Sequence, residues 1–296
     1  MSERPPTGSV AEVAPGVIRI VAPNPSAMTA TGTCTYVVGD GAGRCVVDPG
    51  PDDPAHRAAI EAALLGGVAE AVLVTHPHLD HSAGAPPLAA TLGAPIWAFG
   101  PPERGRSAAM AALPHPGGGE GVDQAFRPDR NLDDDAVVEG RGWSLAAVWT
   151  PGHMASHLSF HWTERGLLFT GDVLMGWAST LISPPDGDVT QFLASLDRIE
   201  ALGADRLLPG HGAPIDDPTG RCRAMRRHRE DREAAILRAL DGAATIPALV
   251  AAVYADTAPA MHAMAARNVL AHLVRLVELG AVQADRLAPD GRFTRA

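Results

Sequence analysis

Residues 75–81 read Thr-His-Pro-His-Leu-Asp-His, at the end of an apolar strand predicted over Ala71–Thr75. Four side chains with metal-ligand chemistry, His76, His78, Asp80 and His81, thus stand within six positions. Pro77 has no backbone N–H and cannot extend a strand ladder, so the chain must turn there, and His76 and His78 can then point to one locus. Asp80 and His81 fall where the next helix should begin. Imidazole and carboxylate ligands together suit a borderline cation such as Zn²⁺, with Fe or Mn as competitors. Three further segments share this layout: Trp149-Thr150-Pro151-Gly152-His153, Leu168-Phe169-Thr170-Gly171-Asp172 and Leu207-Leu208-Pro209-Gly210-His211 each place a ligand just past an apolar run. Side chains at the C-terminal ends of strands gather along one edge of a layered α/β fold, where ligands far apart in sequence can meet. Five of the 12 histidines occupy such positions.

Around these segments, short β-like runs alternate with amphipathic helices. Strands are predicted over Val17–Val21, Cys34–Gly39 and Arg44–Asp48, the last closed by Pro49-Gly50, then a helix over Asp53–Leu65 that Gly66-Gly67 ends. A helix around Ser82–Leu92 and a strand at Pro95–Phe99 repeat the unit. Strands at Ala136–Glu139, Trp143–Thr150, Leu158–Trp162 and Leu167–Thr170, a helix over Asp188–Leu202 and a strand at Arg206–Leu208 complete it. The alternation is that of an α/β protein. Residues 100–135, rich in Pro and Gly with the acidic run Asp133–Asp135, read as a long solvated excursion carrying His115. From about Thr219 the chain becomes Arg- and Ala-rich helix. A boundary at Asp216-Asp217-Pro218 is expected, giving units 1–218 and 219–296.

Composition removes several classes. With 46% hydrophobic and 20% charged residues, a chain of 296 residues can bury a large core. No apolar run approaches a membrane span, and residues 1–10 have no apolar stretch of the kind a secretory signal needs, so a cytoplasmic protein without a membrane partner is expected. Cys34, Cys45 and Cys222 lie far apart and outside any C-x-x-C spacing, which suits buried small hydrophobes. There is no lysine. Residues 1–220 carry 12 Arg against 26 acids, net −14, and residues 221–296 carry 12 Arg against 8 acids, net +4. An acidic body argues against a general nucleic-acid coat and leaves a local basic face open.

Taken in order, THPHLDH (75–81), TPGH (150–153), TGD (170–172) and PGHG (209–212) make the sequence resemble the metallo-β-lactamase-fold superfamily of hydrolases over roughly residues 10–218. The resemblance implies a four-layer αββα sandwich with a two-metal site on its edge. Carried over by motif, His76, His78 and His153 hold one metal, Asp80, His81 and His211 hold the second, and Asp172 bridges them. It implies two divalent ions, Zn²⁺ foremost, sharing a hydroxide that attacks an electrophilic carbon or phosphorus. Asp80 and Asp172 are then catalytic, and so is His157, four residues past His153, as a substrate-contacting or supporting residue. Trp177 and Ser179 should line the pocket, and His161 should be structural. More narrowly, residues 171–188, the helix HREDREAAIL (228–237) and the tail resemble the β-lactamase-like protein 2 subgroup. That implies a small, mainly helical winged-helix-like C-terminal domain: helices Ile246–Asp256 and Met261–Leu279, and a wing near Val282 and Phe293. Cys34 departs from this subgroup, whose members commonly have Asn there.

The expected activity is hydrolysis of a small ester, thioester or lactone. Cleavage of single-stranded RNA is the alternative, favoured by Arg221, Arg223, Arg226, Arg227, Arg229 and Arg232 and opposed by the interleaved Glu230, Asp231 and Glu233. A true β-lactamase is disfavoured by Asp172, where many such enzymes use Cys. A non-catalytic metal-binding regulator is a third reading. The tail is expected to be an interaction or homodimerisation element that also covers the site.

Overall fold

The computed structural model describes residues 4–114, 119 and 121–296. The first half of the chain forms β1 (Val10–Ala14), β2 (Val17–Val21), β3 (Cys34–Val38), β4 (Gly43–Val47), α1 (Pro54–Ala63), β5 (Val68–Leu73), the one-turn α2 (Leu79–Ser82), α3 (Ala85–Leu92), β6 (Ile96–Ala98), α4 (Ala108–Ala111) and β7 (Arg130–Asn131). There follow β8 (Val137–Gly140), β9 (Trp143–Trp149), β10 (Leu158–Trp162), β11 (Leu167–Gly171), α5 (Val189–Leu202) and β12 (Arg206–Pro209). The chain ends with α6 (Pro218–Ala239), β13 (Ala244–Thr245), α7 (Ile246–Val253), α8 (His262–Glu278), β14 (Val282–Ala284) and β15 (Arg292–Arg295).

Strands β1 to β7 make one sheet in sequence order, and a second sheet runs β12-β11-β10-β9-β8. Strands β3 and β4 are buried at every position, which happens only when both faces of a sheet are covered. The two-residue period sorts their side chains. Tyr36, Val38, Cys45, Val47 and Leu73 point at the second sheet, where they meet Leu145, Leu158, Phe160 and Phe169. Val37, Val46 and Val72 point the other way, onto Ile60 of α1 and Leu88 of α3. On the outer face of the second sheet, Leu168 and Leu207 pack against Phe192 and Leu196 of α5. Helix, sheet, sheet, helix is the expected four-layer order. Side-chain caps start α1 and α5: Asp53 accepts from the His56 N–H at 2.7 Å, and Asp188 from the Thr190 N–H at 2.7 Å.

The tail packs in two directions. Cys222 and Met225 of α6 join the α5 cluster, whereas Ile236 meets Leu249, Leu270, Leu273 and Phe293 in a separate core around α7, α8 and the three-stranded sheet β13-β15-β14. All three cysteines are free and buried. Among the described residues no helix is long and apolar enough to cross a membrane.

One expectation needs correction. Residues 100–135 are not simply a solvated excursion: α4 sends Met110 and Leu113 into the C-terminal core, β7 pairs with β6, and Phe126 and Leu132 are buried. These are large apolar residues of the stretch, and their burial ties it to both units. His115 lies outside the described residues.

Phe160 is fully buried between the two sheets. Phe160→Ala is expected to cost about 3–5 kcal/mol, read as a lowered urea midpoint. A loss below about 1 kcal/mol would contradict a core shared by both sheets.

Candidate metal centre

The two sheets meet at one edge, and main-chain hydrogen bonds stitch them there. The Leu158 N–H donates to Thr75 O at 2.8 Å, and the Cys34 N–H to Gly210 O at 2.7 Å. Because β4 and β5 run parallel, as do β11 and β12, their C-terminal ends all open at this edge. Each strand end hands over its polar residue in a turn: His76 after β5, His153 after β9, Asp172 after β11 and His211 after β12. The small residues of these turns have a steric reason. A Cβ on Gly210 would lie 2.5 Å from Asp172 Oδ1 and 2.7 Å from His81 Cε1. A Cβ on Gly171 would lie 2.5 Å from His157 Nε2, on a backbone with φ of +46°.

All seven predicted ligands converge. His78 Nδ1 lies 2.9 Å from His76 Nε2 and 3.0 Å from His153 Nε2. Beside that triad, His81 Nε2 and His211 Nε2 are 3.3 Å apart, with Asp80 Oδ2 3.3 Å from His211 Nε2. Asp172 lies between the groups: Oδ1 is 3.5 Å from His81 Nε2, and Oδ2 is 3.3 Å from His211 Nε2 and 3.9 Å from His153 Nε2. His76-His78-His153 and Asp80-His81-His211 each keep their ligand atoms within 4.8 Å of one another.

The far side of four of the five rings is held by the protein. His153 Nδ1–H donates to Leu181 O at 2.8 Å, His211 Nδ1–H to Gly32 O at 3.3 Å, and His81 Nδ1–H to Asp48 Oδ2 at 2.8 Å. His76 Nδ1–H donates to Thr75 Oγ1 at 3.0 Å, and that hydroxyl donates onward to Asp48 Oδ2 at 2.7 Å. These bonds fix the tautomers, leaving Nε2 lone pairs of His76, His81, His153 and His211 turned inward. Asp48 also accepts from the Thr75 N–H at 2.7 Å, so one buried carboxylate orients two rings. Sequence reasoning does not place Asp48 in the site. The signal is present in Val46-Val47-Asp48-Pro49-Gly50, which has the same strand-end, turn and polar-residue layout as the ligand motifs.

His157 is placed behind the ligands. It is fully buried, its Nε2 accepts from the Asp172 N–H at 3.2 Å, and its Nδ1 is 3.0 Å from Thr150 Oγ1. His161 is buried on β10, away from the cluster, with Nδ1 3.4 Å from Thr163 Oγ1.

Inward-facing lone pairs and carboxylates demand positive charge. Burial, then the neighbouring imidazoles, push His76 well down and His78 to about 3. Burial also works against charging His81 and His211, but Asp80, Asp172 and Asp48 raise His81 well above its ordinary value, and Asp172 and Asp80 lift His211 to about 9. The same pairings hold Asp80 and Asp172 below the usual carboxylate range despite burial. Asp172 Oδ1 is buried and, among the described residues, has no hydrogen-bond partner closer than His81 Nε2 at 3.5 Å. An acceptor-only pocket with an orphaned carboxylate oxygen fits divalent metal ions better than any proton arrangement.

His78, Asp80, His153, Asp172 and His211 form the floor of a cavity of about 790 Å³. Trp177 and Ser179 line it as expected, and Tyr254, Met261 and Asn268 from the C-terminal unit complete its wall. The segment 178–183 crosses between these parts. Thr180 Oγ1 donates to Asp172 O at 3.0 Å, while Arg221, Arg229 and Arg267 donate to Ala178 O, Thr180 O and Ser183 Oγ. Other arginines of α6 are also engaged within the molecule: Arg223 with Glu200, Arg226 with Asp197, and Arg232 with Val253 O.

The metallo-β-lactamase superfamily model matches residues 29–211, and the β-lactamase-associated winged helix domain model matches residues 245–289. The chain is 30% identical to an atrochrysone carboxyl ACP thioesterase of Aspergillus fumigatus, covering 90% of this chain and 84% of that one. It is also 30% identical to a β-lactamase-like protein 2 homolog of Drosophila melanogaster, covering 95% and 94%. Among solved structures it is similar to a metallo-β-lactamase family protein from Thermus thermophilus, with 28% identity and a TM-score of 0.78 over 96% of this chain and 100% of that one.

Asp48→Ala should lower metal affinity about 10–100-fold, measured by competition with a chromophoric chelator, because both rings lose their outer partner. Unchanged affinity would contradict the orienting role.

Proposed function

The chain belongs to the metallo-β-lactamase superfamily and is a metal-dependent hydrolase, and from that premise we propose that it holds two divalent ions, Zn²⁺ foremost, and cleaves a small thioester, ester or lactone. The observation that carries this reading is Asp172, whose buried and otherwise unpaired carboxylate stands between two ligand triads and opens onto the cavity. His76, His78 and His153 would hold one ion, Asp80, His81 and His211 the other, and Asp172 would contact both. When bound, such ions polarise the substrate carbonyl and lower the pKa of the attacking water toward about 7.

The chain's own residues supply the rest. Asp80 and Asp172 would offset the like charge of two bound cations. His157 and Thr180 fix the main chain on either side of the Asp172 carboxylate, so its position does not depend on the metals alone. The walls around Met175, Trp177, Leu181 and Met264 exclude water from the bond to be broken. A thioester is the leading substrate class because the thioesterase relative aligns over both units.

The RNA alternative loses its main support, because four of the six arginines that suggested it, Arg221, Arg223, Arg226 and Arg229, are engaged inside the molecule. In the same reading, residues 1–218 are the catalytic unit and 219–296 the winged-helix-like unit that closes the cavity.

Asp172→Ala should lower turnover of a simple acyl thioester by about 10³-fold or more and reduce bound metal. Activity within tenfold of wild type would contradict the assignment of Asp172.

A further inference from the structure

Arg229 is the largest fully buried side chain among the described residues, at 1% exposure, and no acid among them pairs with it. Its guanidinium lies over the Phe192 ring, 4.9 Å from the centroid, donates to Thr180 O, and donates to Asn268 Oδ1 at 3.3 Å. Its Nε–H has no partner among the described residues. Burial chiefly, with the like charge of Arg232 adding to it, brings its pKa down to about 10, so it remains charged at neutral pH. A buried guanidinium without a carboxylate is uncommon and costly.

Two cavity residues adjoin it. Arg232, three positions along α6, lines the cavity. One of its nitrogens, Nη1, donates to Val253 O at 2.9 Å, and its guanidinium sits 4.3 Å from the Tyr254 ring centroid. Among the described residues it has no acid partner. Asn268, from α8, also lines the cavity. Because Arg229 claims its Oδ1, the Asn268 amide has its NH₂ to offer, and no acceptor among the described residues meets it. Asp186, another acid on the wall, is engaged by Arg106. Four of the chain's eight methionines, Met28, Met175, Met261 and Met264, also line the cavity and give it an adaptable apolar body.

We infer that Arg232 and Asn268, backed by the buried charge of Arg229, form an anion subsite for a carboxylate or phosphate carried by the substrate away from the bond that is cleaved. The inference deepens the thioester reading and rests on it for the identity of the attached group. An apolar acyl chain or ring bearing one anionic group fits the cavity. Charge-assisted hydrogen bonds from a guanidinium and an amide would hold that group without blocking the metal floor.

Matched thioesters test this and separate the two sources of the anion. One pair is an ω-carboxyoctanoyl thioester of N-acetylcysteamine and its ω-methyl ester. The other is an octanoyl thioester of phosphopantetheine and of pantetheine. For one pair, metal-loaded wild type should show a kcat/KM ratio of charged to neutral substrate of at least about 10, and Arg232→Met and Asn268→Leu should each bring that ratio toward one. The pair that responds tells whether the anion lies on the acyl or the thiol side. Ratios near one in wild type, or a ratio the variants leave intact, would overturn the subsite. If none of the four is hydrolysed, the thioester reading fails, and calorimetry with suberate and inorganic phosphate decides the subsite separately. Binding that weakens at least about tenfold in both variants supports it, and absent or unaltered binding overturns it.

Discussion

Three buried or half-buried carboxylates, Asp48, Asp80 and Asp172, share one sheet edge with five inward-facing imidazoles, and much of the architecture serves to keep them there. Such a group is unstable as bare charge, because burial removes the water that would solvate it. It is tolerable only when cations, whether protons or metals, sit among the acids. Four strand ends deliver ligands to the edge, two main-chain hydrogen bonds tie the sheets together there, and carbonyls or Asp48 grip the rings from behind. The cost of assembling the cluster is met by the core between the sheets.

Much of this is legible in the sequence. Pro77 forces a turn, and the recurrence of a polar residue after an apolar run and a Pro or Gly marks the strand ends, so all seven residues that converge at the edge can be picked out. The strand alternation likewise indicates layered α/β architecture. Three features are not legible, each for a physical reason. Asp48 stands alone after its strand, with no neighbouring histidine to draw attention. The apolar anchors of residues 100–135 are spaced irregularly among Pro and Gly, so no helical or strand period announces that Met110 or Leu132 is buried. The arginines of α6 look like a charged face because local sequence shows neighbours at i+3 and i+4, whereas the partners of Arg221, Arg226 and Arg229 lie in segments tens of residues away.

Those arginines change the meaning of the C-terminal unit. Arg221 and Arg229 hold the carbonyls of Ala178 and Thr180, and that segment in turn holds Asp172 through Thr180 and His153 through Leu181. The tail is thereby joined to the candidate ligand cluster by two steps of hydrogen bonding, as well as walling the cavity. One continuous cavity is lined by residues of both units.

The central claim is that this edge is built for two cations bridged by Asp172. Stripping the protein with a chelator and dialysing it against Zn²⁺, followed by elemental analysis, tests it most directly. The account predicts two ions per chain. Saturation at one ion, or at none, would contradict it.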